Sequence, residues 1–158
     1  MSITMRLAQK QDIPAILQLL NEVLEVHAAI RPDIFIPNTT KYQYAQLSAM
    51  INDQDKPIIV ACDELDQVVG YAFCLFEKID HPFMHQRKLL YVDDICVNKK
   101  FQHQHIGTMI FTSIKQLAIT HDCDTITLNV WEGNDQAWHF YQKMGMTKRK
   151  TMLELNLK

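Results

Sequence analysis

Ile3, Met5 and Leu7 alternate with polar neighbours at the start of the chain, the period of a half-buried strand. The period then lengthens. Ile13, Ile16, Leu17, Leu20, Val23, Leu24 and His27 share one helical face, with Asp12 at the N-cap position and Pro14 in the first turn. Arg31-Pro32 and Ile36-Pro37 break that helix, and residues 42–50 predict a shorter second one. Two apolar runs, 57–62 and 68–76, flank the polar turn 63–67 and predict an antiparallel hairpin. Residues 89–97 predict the next strand, Ile106, Ile110, Ile114 and Leu117 the apolar face of a helix, and Ile126, Leu128 and Val130 a further strand. Residues 134–144 predict a helix closed by Gly145 just past its C-cap, and Leu153, Leu155 and Leu157 alternate as a last strand. The order β-α-α-β-β-β-α-β-α-β is an α/β arrangement in which a hairpin region precedes a parallel strand-helix-strand unit.

Composition narrows the classes. The 158 residues suffice for one domain, 1–158, and 47% hydrophobic residues with four Gly and five Pro leave no low-complexity tract or linker. A formal net charge of −2 with interspersed signs argues against nucleic-acid or polybasic membrane partners. The N-terminal residues lack a secretion signal and no apolar run approaches membrane-spanning length, so the expectation is a cytoplasmic protein. Cys62, Cys74, Cys96 and Cys123 contain no Cys-x-x-Cys pair and predict buried free thiols rather than disulfides or a zinc site. His103-x-His105 has no Cys or carboxylate at zinc spacing beside it, so no metal is expected.

Two segments carry the candidate chemistry. In the first, the strand ending Asp93-Asp94-Ile95-Cys96-Val97 runs through Gln102-His103-Gln104-His105-Ile106-Gly107-Thr108 into the helix that begins there. A tight turn at a helix start gathers unpaired N–H groups at the positive end of the helix dipole, which makes an anion site. The second segment is Asn134-Asp135-Gln136-Ala137-Trp138-His139-Phe140-Tyr141-Gln142-Lys143-Met144-Gly145-Met146. On these residues the chain resembles the GNAT superfamily of acyl-coenzyme-A-dependent N-acetyltransferases. That family's phosphate loop reads Gln/Arg-x-x-Gly-x-Gly/Ala, and here Gln102 and Gly107 fit while His105 replaces the first glycine. Its second signature, Asn-x-x-Ala-x-x-Phe-Tyr-x-x-x-Gly-Phe, is met at Asn134, Ala137, Phe140, Tyr141 and Gly145, with Met146 in place of the last aromatic.

The resemblance implies a GNAT-like mixed sheet, flanked by helices, that splays between its two central strands to admit acetyl-coenzyme A. It implies that backbone N–H groups of Gln102, His103, Gln104, His105, Ile106, Gly107 and Thr108 hold the pyrophosphate, with Asn134 and Tyr141 also at the cofactor. The backbone of Ile95, Cys96 and Val97 is implied to pair with the pantetheine amides as an added strand would, with an amide near Ile95 steadying the oxyanion. Histidine is among the few non-glycine residues enriched at positive φ, which suits His105 to the glycine's place. His103 and His105 either lend positive charge to the phosphates or are plain solvated loop residues.

Family precedent makes Tyr141 the proton donor to the departing thiolate, since a phenol with the usual pKa near 10 is protonated at neutral pH. The competing reading is an aromatic that only packs against the cofactor. Asp93 and Asp94 are candidates for the base or amine anchor, or else a structural strand-end pair. Strict alternation puts Asp93 with Ile95 and Val97, and Asp94 with Cys96, leaving open which faces the cleft. Weaker candidates for an acceptor pocket are Glu22, Glu25, His27, Arg31, Asp80, His81, His85 and Arg87, with Phe35, Tyr42, Tyr44, Phe83 and Trp131 as lining. No cysteine sits in a nucleophile setting, which favours direct attack in a ternary complex.

The expected function is transfer of an acetyl group from acetyl-coenzyme A to a primary amine of a small molecule or protein. The alternative is a non-catalytic acyl-coenzyme-A-binding regulator of the same fold. A Rossmann or P-loop domain is disfavoured because neither glycine motif occurs. The last strand offers an edge through which a homodimer can form.

Overall fold

Residues 2–158 are described by a computed structural model. Five strands, β1 (Thr4–Leu7), β2 (Ile58–Cys62), β3 (Val68–Ile79), β4 (Arg87–Val97) and β5 (Thr125–Leu128), form one open sheet in sequence order. The first three junctions are antiparallel and β4–β5 is parallel. Helices α1 (Ile13–Ile30) and α2 (Tyr44–Ile51) precede β2, α3 (Ile106–Thr120) crosses from β4 to β5, and α4 (Asp135–Lys143) follows β5. A parallel junction needs such a crossover, which is why the 3.6-residue period returns between Val97 and Thr125.

Burial on both faces explains the unbroken apolar run of β2. On one face Ile13, Ile16, Leu19 and Leu20 of α1 and Leu47 of α2 pack with Val60, Tyr71, Phe73 and Cys96. On the other, Ile106, Ile110, Ile114 and Ala118 of α3 pack with Ala61, Val69, Ala72, Leu90 and Val92. Each such buried Ile or Leu stabilises the fold by about 1.5–3 kcal/mol relative to exposure. The contact of α3 with the sheet is close at Gly70, where a Cβ would lie 2.9 Å from the Cys96 carbonyl oxygen and 3.0 Å from Ile110 Cδ1. Glycine there lets the helix sit against β3 and β4, and so sets the height at which its N-terminus opens.

Three expectations are corrected. The alternating segment Leu153, Leu155, Leu157 forms no strand: these residues are 88%, 84% and 85% exposed, and the chain joins no sheet after β5. A period of two is necessary for a half-buried strand but does not itself supply a partner, and here Arg31, at the C-cap of α1, bonds Glu154 of the tail at 2.7 Å. Second, residues Lys10–Ile30 are, by length and composition alone, long and apolar enough to cross a membrane, with mean hydropathy 1.3. Asn21, Glu22 and Glu25 interrupt the apolar letters without lowering that mean enough, and in the fold the helix packs onto the sheet through Ile13, Ile16, Leu19 and Leu20.

Third, Asp12 does not cap α1 with its side chain. Its carboxylate, only 4% exposed, accepts two bonds from Arg6 at 2.7 and 3.0 Å and one from the Gln9 amide at 2.7 Å. Burial pushes the carboxyl pKa up, but the Arg6 and Gln9 bonds outweigh it and hold the group below its ordinary value. This pair ties β1 to the start of α1. Arg6→Met strands a buried charge and is expected to lower stability by about 3 kcal/mol in urea unfolding at pH 7. Because the folded Asp12 pKa lies below the unfolded one, the stabilisation is present above the carboxylate range. The deficit of Arg6→Met therefore narrows as pH falls through about 4.

Candidate active site

The site begins where two strands part. β5 pairs with β4 from Leu89↔Thr125 to Val92↔Leu128, whereas β4 continues to Val97, paired only with β3 through Asp94↔Phe73, Ile95↔Ala72, Cys96↔Tyr71 and Val97↔Gly70. The splay implied by the resemblance therefore opens after Val92, and the β5-facing edge of Ile95, Cys96 and Val97 is left without a strand. Asn129 marks the parting, its amide donating to the Tyr91 hydroxyl at 3.0 Å.

A bulge falls at the same place. The β3–β4 register steps from Asp94↔Phe73 to Val92↔Cys74, so Asp93 opposes no residue of its own. Leu90 and Val92 pack on the α3 side before the bulge, and Ile95 and Val97 pack on that side after it. The extra residue corrects strict alternation: Asp93 and Asp94 both turn to the α1 and α2 side. Asp93 accepts from Lys41 Nζ at 2.7 Å and from the Tyr42 hydroxyl at 2.9 Å. Asp94 accepts from the Tyr71 hydroxyl at 2.7 Å. Burial raises the Asp94 carboxyl to about 6, against the lowering effect of the Tyr71 bond and the Lys41 charge. Burial together with the neighbouring carboxylate keeps Tyr71 and Tyr42 protonated well beyond the ordinary phenol range.

Past Val97 the chain is tied down before it turns. Asn98 accepts from the Lys100 amide at 2.9 Å, and Gln102 Nε2 donates to the Val97 carbonyl at 3.3 Å. His103 and His105 both adopt φ 62°, so the family glycine's place is indeed left-handed, with His105 as the N-cap of α3. The first helical bond runs from the Met109 amide to the His105 carbonyl at 3.0 Å. Among the described residues the amides of Ile106, Gly107 and Thr108 donate to no protein acceptor, leaving three N–H groups facing out of the helix start. Gly107 is helical, so its role is not a special φ; its Cβ position lies 3.4 Å from the Phe140 ring, and its bareness admits α4.

Helix α4 carries Tyr141 against the α3-side core. Asn134 accepts from the Ala137 amide at 3.3 Å, so its side chain caps α4. Phe140 and Tyr141 pack on Phe111 of α3, with ring centroids 6.4 and 6.3 Å away. Gly145, at φ 94°, closes the helix with its amide on the Gln142 carbonyl, and the Met146 amide returns to the Tyr141 carbonyl at 3.0 Å. Burial raises the Tyr141 phenol above its usual pKa, and the charge of Asp94 adds to the rise. The two groups thus share one electrostatic environment, and among the described residues the Tyr141 hydroxyl has no protein hydrogen-bond partner.

Of the weaker candidates, Glu22 and Tyr42 belong to the same region. Glu22 Oε2 is hidden from solvent without a hydrogen-bond partner among the described residues. Phe35 packs between His27, tilted at 5.2 Å, and Trp131, edge-on at 5.3 Å, and Arg31 is bound to Asp33 and Glu154. Asp80, His81, Phe83 and His85 lie in the exposed β3–β4 turn, and Arg87 starts β4 at the end opposite Val97. Tyr44 is exposed on α2. Two site residues escaped the sequence reading, Tyr71 and Lys41: each reaches the carboxylates only through strand register or loop placement, for which no local pattern exists. All four cysteines are free thiols, Cys123 half-buried and the others buried.

The acetyltransferase (GNAT) family model matches residues 20–146. A solved point mutant of the BH1408 protein from Bacillus halodurans is 31% identical, with a TM-score of 0.94 over 98% of this chain and 99% of that one. An aminoglycoside acetyltransferase from an uncultured soil metagenomic sample, 18% identical, superposes with a TM-score of 0.71 over 99% of this chain and 95% of its own. Glucosamine-6-phosphate N-acetyltransferase from Arabidopsis thaliana, 14% identical, superposes with a TM-score of 0.72 over 100% of both chains. No curated protein matches significantly by sequence. With the splayed sheet, the left-handed loop and both signature segments in place, the chain belongs to the GNAT acetyltransferase family.

Proposed function

We propose that the protein transfers an acetyl group from acetyl-coenzyme A to a primary amine by direct attack in a ternary complex. One observation carries this reading: β4 runs on beyond its last β5 partner, Val92, as a bare edge, and the helix start that follows it holds three free amides. When bound, acetyl-coenzyme A supplies a thioester whose carbonyl carbon gains a C–N bond as its C–S bond breaks. The residues present fit it. The amides of Ile106, Gly107 and Thr108 suit a pyrophosphate, and the edge at Ile95, Cys96 and Val97 suits amide groups in extended conformation.

Asp94 takes the proton of the attacking amine. A carboxyl titrating near 6 is ionised at pH 7 yet more basic than an exposed one, which is the compromise a general base requires. Tyr141 holds a proton for the sulfur, because its raised pKa keeps the phenol intact across the working range. Asp93, Lys41 and Tyr42 brace the base from the α2 side, and the unpartnered Glu22 oxygen gives the acceptor side a preference for cationic amines. Cys96 is no competitor as nucleophile: burial pushes its thiol up, and it contacts the Leu19 carbonyl at 3.7 Å.

Calorimetry with acetyl-coenzyme A, followed by thiol release over a panel of amines, tests the reading. Binding with turnover is expected; binding with no turnover on any amine would make the chain an acyl-coenzyme-A-binding regulator instead. Tyr141→Phe should lower kcat by about 100-fold with little change in acetyl-coenzyme-A affinity, and full turnover in that variant removes the donor role. Asp94→Asn should abolish the rising limb of kcat/KM centred near pH 6.

The same variant should also be more stable. The folded Asp94 pKa lies above its unfolded value, so the wild type is favoured at low pH and loses stability as pH rises through about 6. At pH 8 Asp94→Asn is expected to gain up to about 3 kcal/mol in urea unfolding, and a loss there would contradict the buried-charge assignment.

A further inference from the structure

Lys41 lies in the connection between α1 and α2, outside either helix, and its ammonium donates to Asp93 Oδ2 at 2.7 Å. The side chain is 46% exposed and hangs on a flexible four-carbon stem. Its charge is also felt at Asp94, the group assigned above to take the acceptor's proton. Among the described residues no other lysine bonds either acid: Lys56 stands 3.9 Å from Asp53, and Lys88 donates to the His121 carbonyl. A lysine side chain is a primary amine, the acceptor class named above. The chain therefore carries an amine of its own beside the base.

We propose, on the acetyl-transfer reading above, that the protein acetylates itself at Lys41 Nζ when acetyl-coenzyme A is bound and no outside amine is present. Asp93 stands two residues before Ile95, about 7 Å along the strand, so an amine held at Asp93 lies close to the β4 edge that suits the acyl arm. Leaving Asp93 costs Lys41 little. A half-exposed ion pair is weak, and the Tyr42 hydroxyl holds the same carboxylate oxygen at 2.9 Å, so Asp93 keeps a hydrogen bond when the ammonium swings away.

Atoms and charges balance. One ammonium proton goes to Asp94 and on to water, the freed lone pair forms an N–C bond to the thioester carbonyl carbon, and the C–S bond breaks. The sulfur takes a proton from Tyr141, made good by the second proton leaving the nitrogen. The products are an amide at Lys41 and coenzyme A with a free thiol. Lys41 is then uncharged, and Asp93 has lost its ion pair. Because donor site and amine belong to one chain, the tether fixes the local amine concentration whatever the protein concentration.

The full chain is incubated with acetyl-coenzyme A and no added amine, and acetyl groups are located over time by peptide mass spectrometry. Lys56, 48% exposed, and Lys78, exposed on β3, serve as references for spontaneous acetylation. Lys41 should react at least about 10-fold faster than either, at a rate per chain that does not change with protein concentration. Asp94→Asn should bring Lys41 down to the reference rate and leave Lys56 and Lys78 unaltered. An added amine that the protein turns over should slow Lys41 alone. Equal rates at all three lysines, a rate per chain that rises with concentration, indifference to a turned-over amine, or an Asp94→Asn variant that labels Lys41 as fast as wild type overturns the proposal. Amine turnover with an unlabelled Lys41 overturns self-acetylation alone, whereas a chain that acetylates neither Lys41 nor any amine overturns the acetyl-transfer reading with it.

Discussion

Strand β4 has eleven residues, and β5 supplies partners for only four of them. A parallel pair that ends early leaves main-chain donors and acceptors exposed along one edge in the middle of a sheet, where backbone groups are otherwise paired. The rest of the architecture arranges itself around that gap. The close seat of α3 at Gly70 sets its free amides against the sheet, and Phe140 and Tyr141 pack α4 onto Phe111 of the same helix. On the proposed reading, an extended ligand bearing amides and a terminal anion would find the β4 edge and the α3 amides along its length.

The carboxylate pair shows how neighbouring acids on one strand come to differ. Asp93 and Asp94 lie on neighbouring positions of one strand, yet their fates differ. Asp93 is bonded by an ammonium and a phenol, whereas Asp94 receives its side-chain bond from a single phenol. Enclosure raises its proton affinity at the expense of folding free energy. Stability is recovered elsewhere, among other places at the Arg6–Asp12 pair, where a buried carboxylate receives three hydrogen bonds and its pKa moves the opposite way. In both aspartates burial pushes the value up, and the bonded Arg6 cation and Gln9 amide are what reverse the direction at Asp12.

Much of this was legible in the letters. The change of hydrophobic period located the first nine elements, and the tolerance of histidine for positive φ anticipated the backbone at His105. What stayed hidden depends on pairing between distant segments. The bulge at Asp93 exists only relative to β3, so alternation along β4 alone assigned the two aspartates to opposite faces. Tyr71 looked like any core aromatic of β3 until its register set it beside Asp94. The leucine row near the C-terminus has the pattern of a strand, but a pattern does not say whether an edge lies within reach.

The unpartnered residue in β4 also bears on how such a site is inherited. Both acids face the same way because of a count, one residue more on β4 than on the stretch of β3 it crosses. Removing a residue that flanks the pair, Val92 or Ile95, would restore regular pleating and swing one carboxylate through the sheet to the α3 side. Insertions and deletions, more than substitutions, are therefore the genetic events by which descendants of this chain lose or relocate their chemistry.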